Sequence, residues 1–347
     1  MAKKIIPFVL IALLLILVVW QMLKRPSTPP VTVQSGTIMI MGTFTKIQIE
    51  ADTPEQGRQA LKNATETLRR FEQQISTYRP DSEMSEINRQ AAEKAIPISD
   101  LAFEILKKSI EYSKLTNGAF DITVTPYLKI WKQAAKENRL PDPAELDQAK
   151  QFVGWEKIKL SENPKTVRFT TRGVTLTVDA IAKGLAVDYA LDAMKIPGVR
   201  SALVDIGGEI SCFGRPWTIG VQDPFAPDND NQLSQTPRRR LRCQNLSIAT
   251  SGNYRRYVTI AGQHFSHIID PRTGMPAEKL PSVTVIAKKT VDADALATAI
   301  SVMGPEEGLK LAQSLPGVEA LLIAGTPEKT EILKTSAFGQ YEIPPEE

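Results

Sequence analysis

Leu61, Ala64, Leu68, Phe71 and Ile75 recur at intervals of three and four residues, the spacing that lines one face of an α-helix. Ahead of this stripe, Thr53, Pro54 and Gln56 supply an N-cap, a proline at the first helical position and a capping-box partner. Upstream, Thr37 to Glu50 alternates apolar and polar side chains and predicts one or two strands. Met41-Gly42-Thr43 in its middle marks a bulge or a close backbone approach. A second helix is expected from about Leu101 to Leu115, where Asn117-Gly118 provides the stop. Farther on, Val174 to Val178, Ala202 to Asp205 and Ser282 to Ala287 read as strands, and Ile181 to Met194 and Ala293 to Met303 as helices. The alternation predicts a mixed α+β body around a central sheet, with no internal repeat. Pro224 to Arg242, rich in Asn, Asp, Gln and Pro and ending in Arg-Arg-Arg-Leu-Arg, reads as a surface insertion.

The N-terminus breaks this pattern. Lys3 and Lys4 precede sixteen residues, Ile5 to Trp20, without a charged or polar side chain, and Gln21 to Leu23 extend the stretch before Lys24 and Arg25. A membrane helix needs about 20 such residues. A cleaved secretory signal or a buried core helix are the competing readings, and no A-x-A-like cleavage site follows the apolar run. Residues 1–24 are therefore expected to form a membrane anchor, 25–35 a Pro-rich linker, and 36–340 the folded body. The basic residues weakly favour an inside N-terminus, which would put the body on the periplasmic or outer face of the inner membrane. There, Cys212 and Cys243 would either pair or remain two unrelated buried thiols.

Of the 347 residues, 42 % are hydrophobic and 23 % charged, the mixture of a chain that buries a core. The formal charge of +3 is too small and too evenly spread to argue for a nucleic-acid surface. Two histidines and two cysteines exclude a Cys-rich zinc framework or an iron–sulfur cluster, so a metal would rest mostly on oxygen ligands.

Several short segments are rich in small residues beside polar groups. Asp205-Ile206-Gly207-Gly208-Glu209 follows an apolar strand and places a glycine pair where backbone N–H groups can approach a ligand; a bulge with a solvated Glu209 is the alternative. Ala180-Ile181-Ala182-Lys183-Gly184 lies where a strand hands over to a helix, which puts Lys183 at a natural phosphate position or simply on the surface. The segment is no G-x-x-x-x-G-K-[ST] loop. Thr250-Ser251-Gly252-Asn253-Tyr254 combines turn residues with hydrogen-bonding side chains. His267 precedes Asp270-Pro271-Arg272-Thr273-Gly274, a turn whose groups can orient an imidazole, bind an anion, or merely satisfy the ring with carbonyls. His264 lacks such surroundings and reads as structural. Asp294 and Thr298, four apart on one helix, present a carboxylate and a hydroxyl to a hard cation such as Mg²⁺; helix-start carboxylates acting on the macrodipole are the bland reading.

Taken in order, Met41-Gly42-Thr43, Gly118-Ala119-Phe120-Asp121 with Thr125-Pro126, Ala180 to Gly184, Asp205 to Glu209, Thr250 to Tyr254, His267 to Pro276 and Asp292 to Ala299 resemble the ApbE family of FAD:protein FMN transferases. The resemblance spans about Gly36 to Glu331 and implies one compact α+β domain with an FAD cleft. It implies Mg²⁺-dependent transfer of FMN from FAD to a Ser or Thr hydroxyl of a partner protein, with release of AMP. Asp294, Thr298 and the Ala180 carbonyl would hold the metal. Met41, Tyr78, Ala119, Phe120, Asp121, Lys183 and Ile268 would line the FAD site, and His267 would act as base. Where the family usually has an acidic residue six positions before the lysine, this chain has Thr177, and Asp179 is expected to take over that role. The acceptor would be a membrane redox-complex subunit. A Mg²⁺-dependent FAD pyrophosphatase, a non-catalytic flavin-binding protein and a scaffold are the rival readings.

Overall fold

A computed structural model describes residues 29–226, 239–252 and 257–344. The apolar segment expected to be an anchor lies outside the described residues. Among those residues, no helix is long and apolar enough to cross a membrane.

The chain opens with strands β1 (Val31–Gln34), β2 (Ile38–Ile40) and β3 (Thr43–Ala51), so the expected linker already contributes an edge strand. The turn between β2 and β3 is Met41-Gly42, both at positive φ. Helix α1 (Pro54–Ile75) follows with the expected capping box, Thr53 accepting from the Gln56 amide and Gln56 reaching back. It buries Ala60, Ala64, Leu68, Phe71 and Ile75. After α2 (Glu83–Gln90) and β4 (Ile96–Pro97), α3 (Asp100–Leu115) ends at Asn117 and Gly118, again both at positive φ. Next come α4 (Thr125–Lys136), α5 (Pro143–Lys150), β5 (Ile158–Glu162) and β6 (Lys165–Phe169); β4, β6 and β5 form a small satellite sheet. Val174 to Val178, expected as a strand, has no ladder. Its backbone is satisfied by other groups: both Leu176 positions bond the Asn88 amide, and the Thr177 N–H donates to the Ile122 carbonyl.

The C-terminal half contains α6 (Ala182–Ala193), β7 (Val199–Ile206), β8 (Glu209–Phe213), β9 (Trp217–Val221) and β10 (Arg239–Cys243). Then follow β11 (Ser247–Gly252), β12 (Tyr257–Ile260), β13 (Gln263–Ser266) and β14 (Ser282–Ala287). Helices α7 (Thr290–Met303) and α8 (Pro305–Ser314) and strands β15 (Glu319–Gly325), β16 (Thr330–Lys334) and β17 (Glu342–Ile343) complete the fold. Nine strands form an antiparallel sheet in the order β1-β3-β7-β8-β11-β14-β15-β16, with β2 on β3.

The period of two along these strands decides the layers. Val283, Val285 and Ala287 of β14 join Ala320, Leu322 and Ala324 of β15 in a core with α7, whereas Ile286 and Leu321 point the other way. That second face is covered by β9, β10 and β17, so β14 is buried throughout. The arginine run is therefore only partly an insertion. Arg239–Cys243 is strand β10, Leu241 is fully buried, and Arg239 pairs with Glu342 at 2.6 Å. The preceding residues 227–238 lie outside the described residues. Cys212 and Cys243 are both free and buried here; the Cys212 thiol faces the Cys243 carbonyl at 3.5 Å.

Candidate active site

One cavity of about 810 Å³ opens beside the main sheet, within the range of about 300–1,000 Å³ common for small-molecule sites. Tyr78, Ala119, Phe120, Asp121, Asp179, Ala180, Lys183, His267, Ile268, Asp294 and Thr298 all line it. Met41 does not. Its backbone N–H donates to Glu72 Oε1 and its side chain packs on the core, while Met39 and Gly42 reach the cavity in its place.

Two helices and a hairpin turn build the floor. Gly184, in the first turn of α6, lies so close to α7 that a Cβ there would sit 2.5 Å from the Thr290 carbonyl oxygen. This approach lets the Gly184 N–H donate to Asp294 Oδ2 at 2.8 Å. Asp294 is 3 % exposed; burial raises its carboxyl pKa, and the Lys183 charge opposes that rise. One turn along α7, Thr298 Oγ1 stands 3.4 Å from Ser251 Oγ of β11. The β7–β8 turn, Gly207-Gly208, has both glycines at positive φ and is closed by Gly208 N–H donating to Asp205 Oδ1 at 2.9 Å. It delivers Glu209 into the floor.

Glu209 is buried, contrary to the solvated reading of this motif. It is 3 % exposed, Lys183 Nζ sits on Oε1, and Oε2 has no hydrogen-bond partner among the described residues. Burial pushes its pKa up to about 7, against the pull of Lys183. A buried anion without full compensation is costly, and the floor carries two buried carboxylates around Lys183. Together with the Thr298 hydroxyl, this oxygen-rich, anion-heavy donor set fits a hard divalent cation. Among the described residues there is no cluster of three or more His, Cys, Asp and Glu that would hold a metal by itself. Such an ion would therefore need Thr298, backbone carbonyl, water or substrate oxygens as well.

The walls come from loops. After α3, the Gly118 N–H bonds the Ser113 carbonyl and Phe120 N–H bonds Thr116 Oγ1, which folds Ala119 and Phe120 inward. Asp121 braces this wall: Oδ1 accepts from the Thr123 N–H and hydroxyl, and Oδ2 from the Trp155 N–H at 2.7 Å. Alongside this wall, His267 is exposed to the cavity next to buried Ile268, which packs in one cluster with Ala119. The turn behind it spends its polar groups on itself, since Arg272 forks onto Asp270 and Thr273 and Gly274 donate to the Asp270 carbonyl. Trp131 Nε1 pins the turn by donating to the Gly274 carbonyl at 2.8 Å. His264, on the β12–β13 hairpin, stacks on Tyr257 with ring centroids 3.9 Å apart and does not line the cavity. At the mouth, Asp179 accepts from the Tyr78 hydroxyl at 2.5 Å, and Thr177 also faces the cavity. Met39 and Phe44 give this rim an exposed apolar side. Asn253 and Tyr254 lie outside the described residues.

Several lining residues carried no sequence signal. Gly220 and Val221 enter from β9 and Gln222 from just beyond its end; this strand comes near because the second sheet folds over β11. Glu209 and Ser251 belonged to visible motifs, but nothing in one sequence tells a buried carboxylate from a solvated one.

A deep cleft with a buried lysine–carboxylate floor, an exposed histidine wall and aromatic rims defines an enzyme-like site for an anionic ligand. The same architecture occurs in the flavin transferase ApbE of Vibrio cholerae, with a TM-score of 0.78 and 30 % identity over 90 % of this chain and 100 % of that one. It also occurs in the Pseudomonas stutzeri flavinyl transferase ApbE, apo form, with a TM-score of 0.76, 28 % identity and coverage of 91 % and 98 %. The FAD:protein FMN transferase of Vibrio cholerae serotype O1 is 33 % identical over 282 residues, 79 % of this chain and 82 % of that protein. The Treponema pallidum protein of the same name is 29 % identical over 305 residues, covering 82 % and 83 %. Residues 41–322 match the model of the ApbE family. The chain belongs to the ApbE family.

Proposed function

We propose that this enzyme, an FAD:protein FMN transferase, moves FMN from FAD to a Ser or Thr hydroxyl of a partner protein. The acceptor oxygen forms a bond to the FMN-side phosphorus, the bond from that phosphorus to the bridging oxygen breaks, and AMP leaves with that oxygen. The observation that carries this reading is the convergence of Lys183, Asp294, Thr298 and His267 on one cleft. His267 takes the proton from the acceptor hydroxyl, a contribution typically worth about 10²–10⁴-fold. Lys183 offers charge to the pyrophosphate, and Phe120 and Tyr78 offer flat faces to the ring systems. Asp294, Thr298 and the Ala180 carbonyl would hold Mg²⁺, which when bound neutralises charge developing on the phosphate oxygens. Asp179 supplies the carboxylate at the rim that Thr177 cannot. The apolar segment at residues 5–20 would tether the enzyme to the inner membrane with the body outside, close to acceptors that are themselves subunits of membrane redox complexes.

The reading is tested by supplying FAD and Mg²⁺ with and without an acceptor bearing a reactive Thr, following AMP and protein-bound flavin together. AMP in step with bound flavin is expected, and both fall when Mg²⁺ is chelated. AMP with free FMN in the presence of a competent acceptor would make the enzyme a pyrophosphatase, and intact FAD throughout would leave a flavin carrier.

A further inference from the structure

Two buried carboxylates flank Lys183, and Glu209 holds it in direct contact. Glu209 Oε1 carries the ammonium, and Oε2 is left without a hydrogen-bond partner among the described residues. Asp294 feels the same positive charge and is tied to the Gly184 N–H through Oδ2. In a low-dielectric site an ammonium is drawn to the strongest available anion. On Asp294 it would compete with a divalent cation for the same lone pairs. Glu209 is well placed to prevent this, because its backbone is fixed. Gly207 lies so near β3 that a Cβ there would sit 2.4 Å from Thr43 Oγ1, and Gly208 is bonded to Asp205.

We propose that Glu209 is a positioning residue that holds Lys183 off Asp294, which leaves the Asp294 carboxylate to a divalent cation and the ammonium to the pyrophosphate. This rests on the flavin-transferase reading of the cleft. Glu209 itself need not touch substrate or metal, and its charge matters as the counterweight to Asp294. A glutamine cannot replace it, since a neutral amide holds an ammonium far less strongly than a carboxylate does.

The test is Mg²⁺-dependent thermal stabilisation of the full chain in detergent, without FAD or acceptor, which reads cation binding independently of turnover. Glu209→Gln is expected to raise the apparent Mg²⁺ dissociation constant about 10- to 100-fold, the usual scale for a partner behind a metal ligand. Lys183→Met alone should change it less than about threefold, because Glu209 already restrains the ammonium, whereas in the Glu209→Gln background it should recover the loss. Such non-additivity separates positioning from simple charge, which would make Lys183→Met equally helpful in both backgrounds. Glu209→Asp, which keeps the charge, should bind Mg²⁺ better than Glu209→Gln. An unchanged constant in Glu209→Gln, equal effects of Lys183→Met in both backgrounds, or Glu209→Asp as weak as Glu209→Gln would each overturn the proposal. If the wild type is not stabilised by Mg²⁺ at all, the cation reading of Asp294 fails first and the proposal with it. Failure only in the variants leaves the transferase reading intact.

Discussion

Asp121 serves the cleft and the fold with the same two oxygens. Its carboxylate lines the cavity, yet both oxygens are engaged by the Thr123 and Trp155 backbone and the Thr123 hydroxyl. Asp121→Ala would leave buried donors unmade, each costing about 1–3 kcal/mol, so a loss of roughly 2–4 kcal/mol is expected in denaturant unfolding. A stability unchanged within about 0.5 kcal/mol would show that water replaces the carboxylate there. The cysteines make a second prediction. Burial pushes the Cys243 thiol up to about 12 and raises that of Cys212 as well. The thiolate reacts, not the thiol, so at pH 8 the reduced native protein should resist a disulfide reagent and release two equivalents of reactivity on unfolding. Rapid labelling of the native chain would contradict the buried placement.

Among the elements, the meeting of α6 and α7 decides the site. Gly184 is where the helices touch, and Asp188 farther along α6 accepts from the Thr290 and Val291 N–H groups, tying down the start of α7. Gly184→Ala would force a methyl against the Thr290 carbonyl. Overpacking of this kind typically costs about 1–3 kcal/mol. Because it also displaces the N–H on Asp294, the variant should bind Mg²⁺ less tightly than the wild type in the same thermal assay; wild-type Mg²⁺ binding would uncouple the helix contact from the proposed cation site. Elements of this kind were legible from sequence wherever local rules agreed. The capping box and stripe of α1, the Asn117-Gly118 stop and the alternation of β3 all hold. Val174 to Val178 has the composition of a strand, but no neighbouring strand offers a ladder, and side-chain and loop partners take its hydrogen bonds. Arg239 to Arg242 reads as the end of a surface insertion because the core-facing positions of this strand, Leu241 and Cys243, are few and flanked by arginines.

For the whole molecule, the nine-stranded sheet and its two cover layers bring together segments more than 250 residues apart in sequence, from Met39 to Thr298. That explains which parts of the site one sequence reveals. Lys183, Asp294 and Thr298 stand out by their small-residue surroundings, and His267 by the Asp-Pro-Arg-Thr-Gly turn that follows it. Residues that arrive by topology, such as Gly220 on β9 and Gln222 just after it, carry no local mark. The burial of Glu209 is a property of the closed floor, so it could not be read from Gly207-Gly208-Glu209 alone. We propose that this assembled cleft joins FMN covalently to an acceptor hydroxyl. Intact-mass spectrometry of an acceptor protein after incubation with the enzyme, FAD and Mg²⁺ tests it most directly. The expected result is a gain of one FMN less water, on a Ser or Thr, with one AMP per acceptor and a rate lowered about 10²–10⁴-fold by His267→Ala. An acceptor whose mass stays unchanged while FAD is consumed would contradict it.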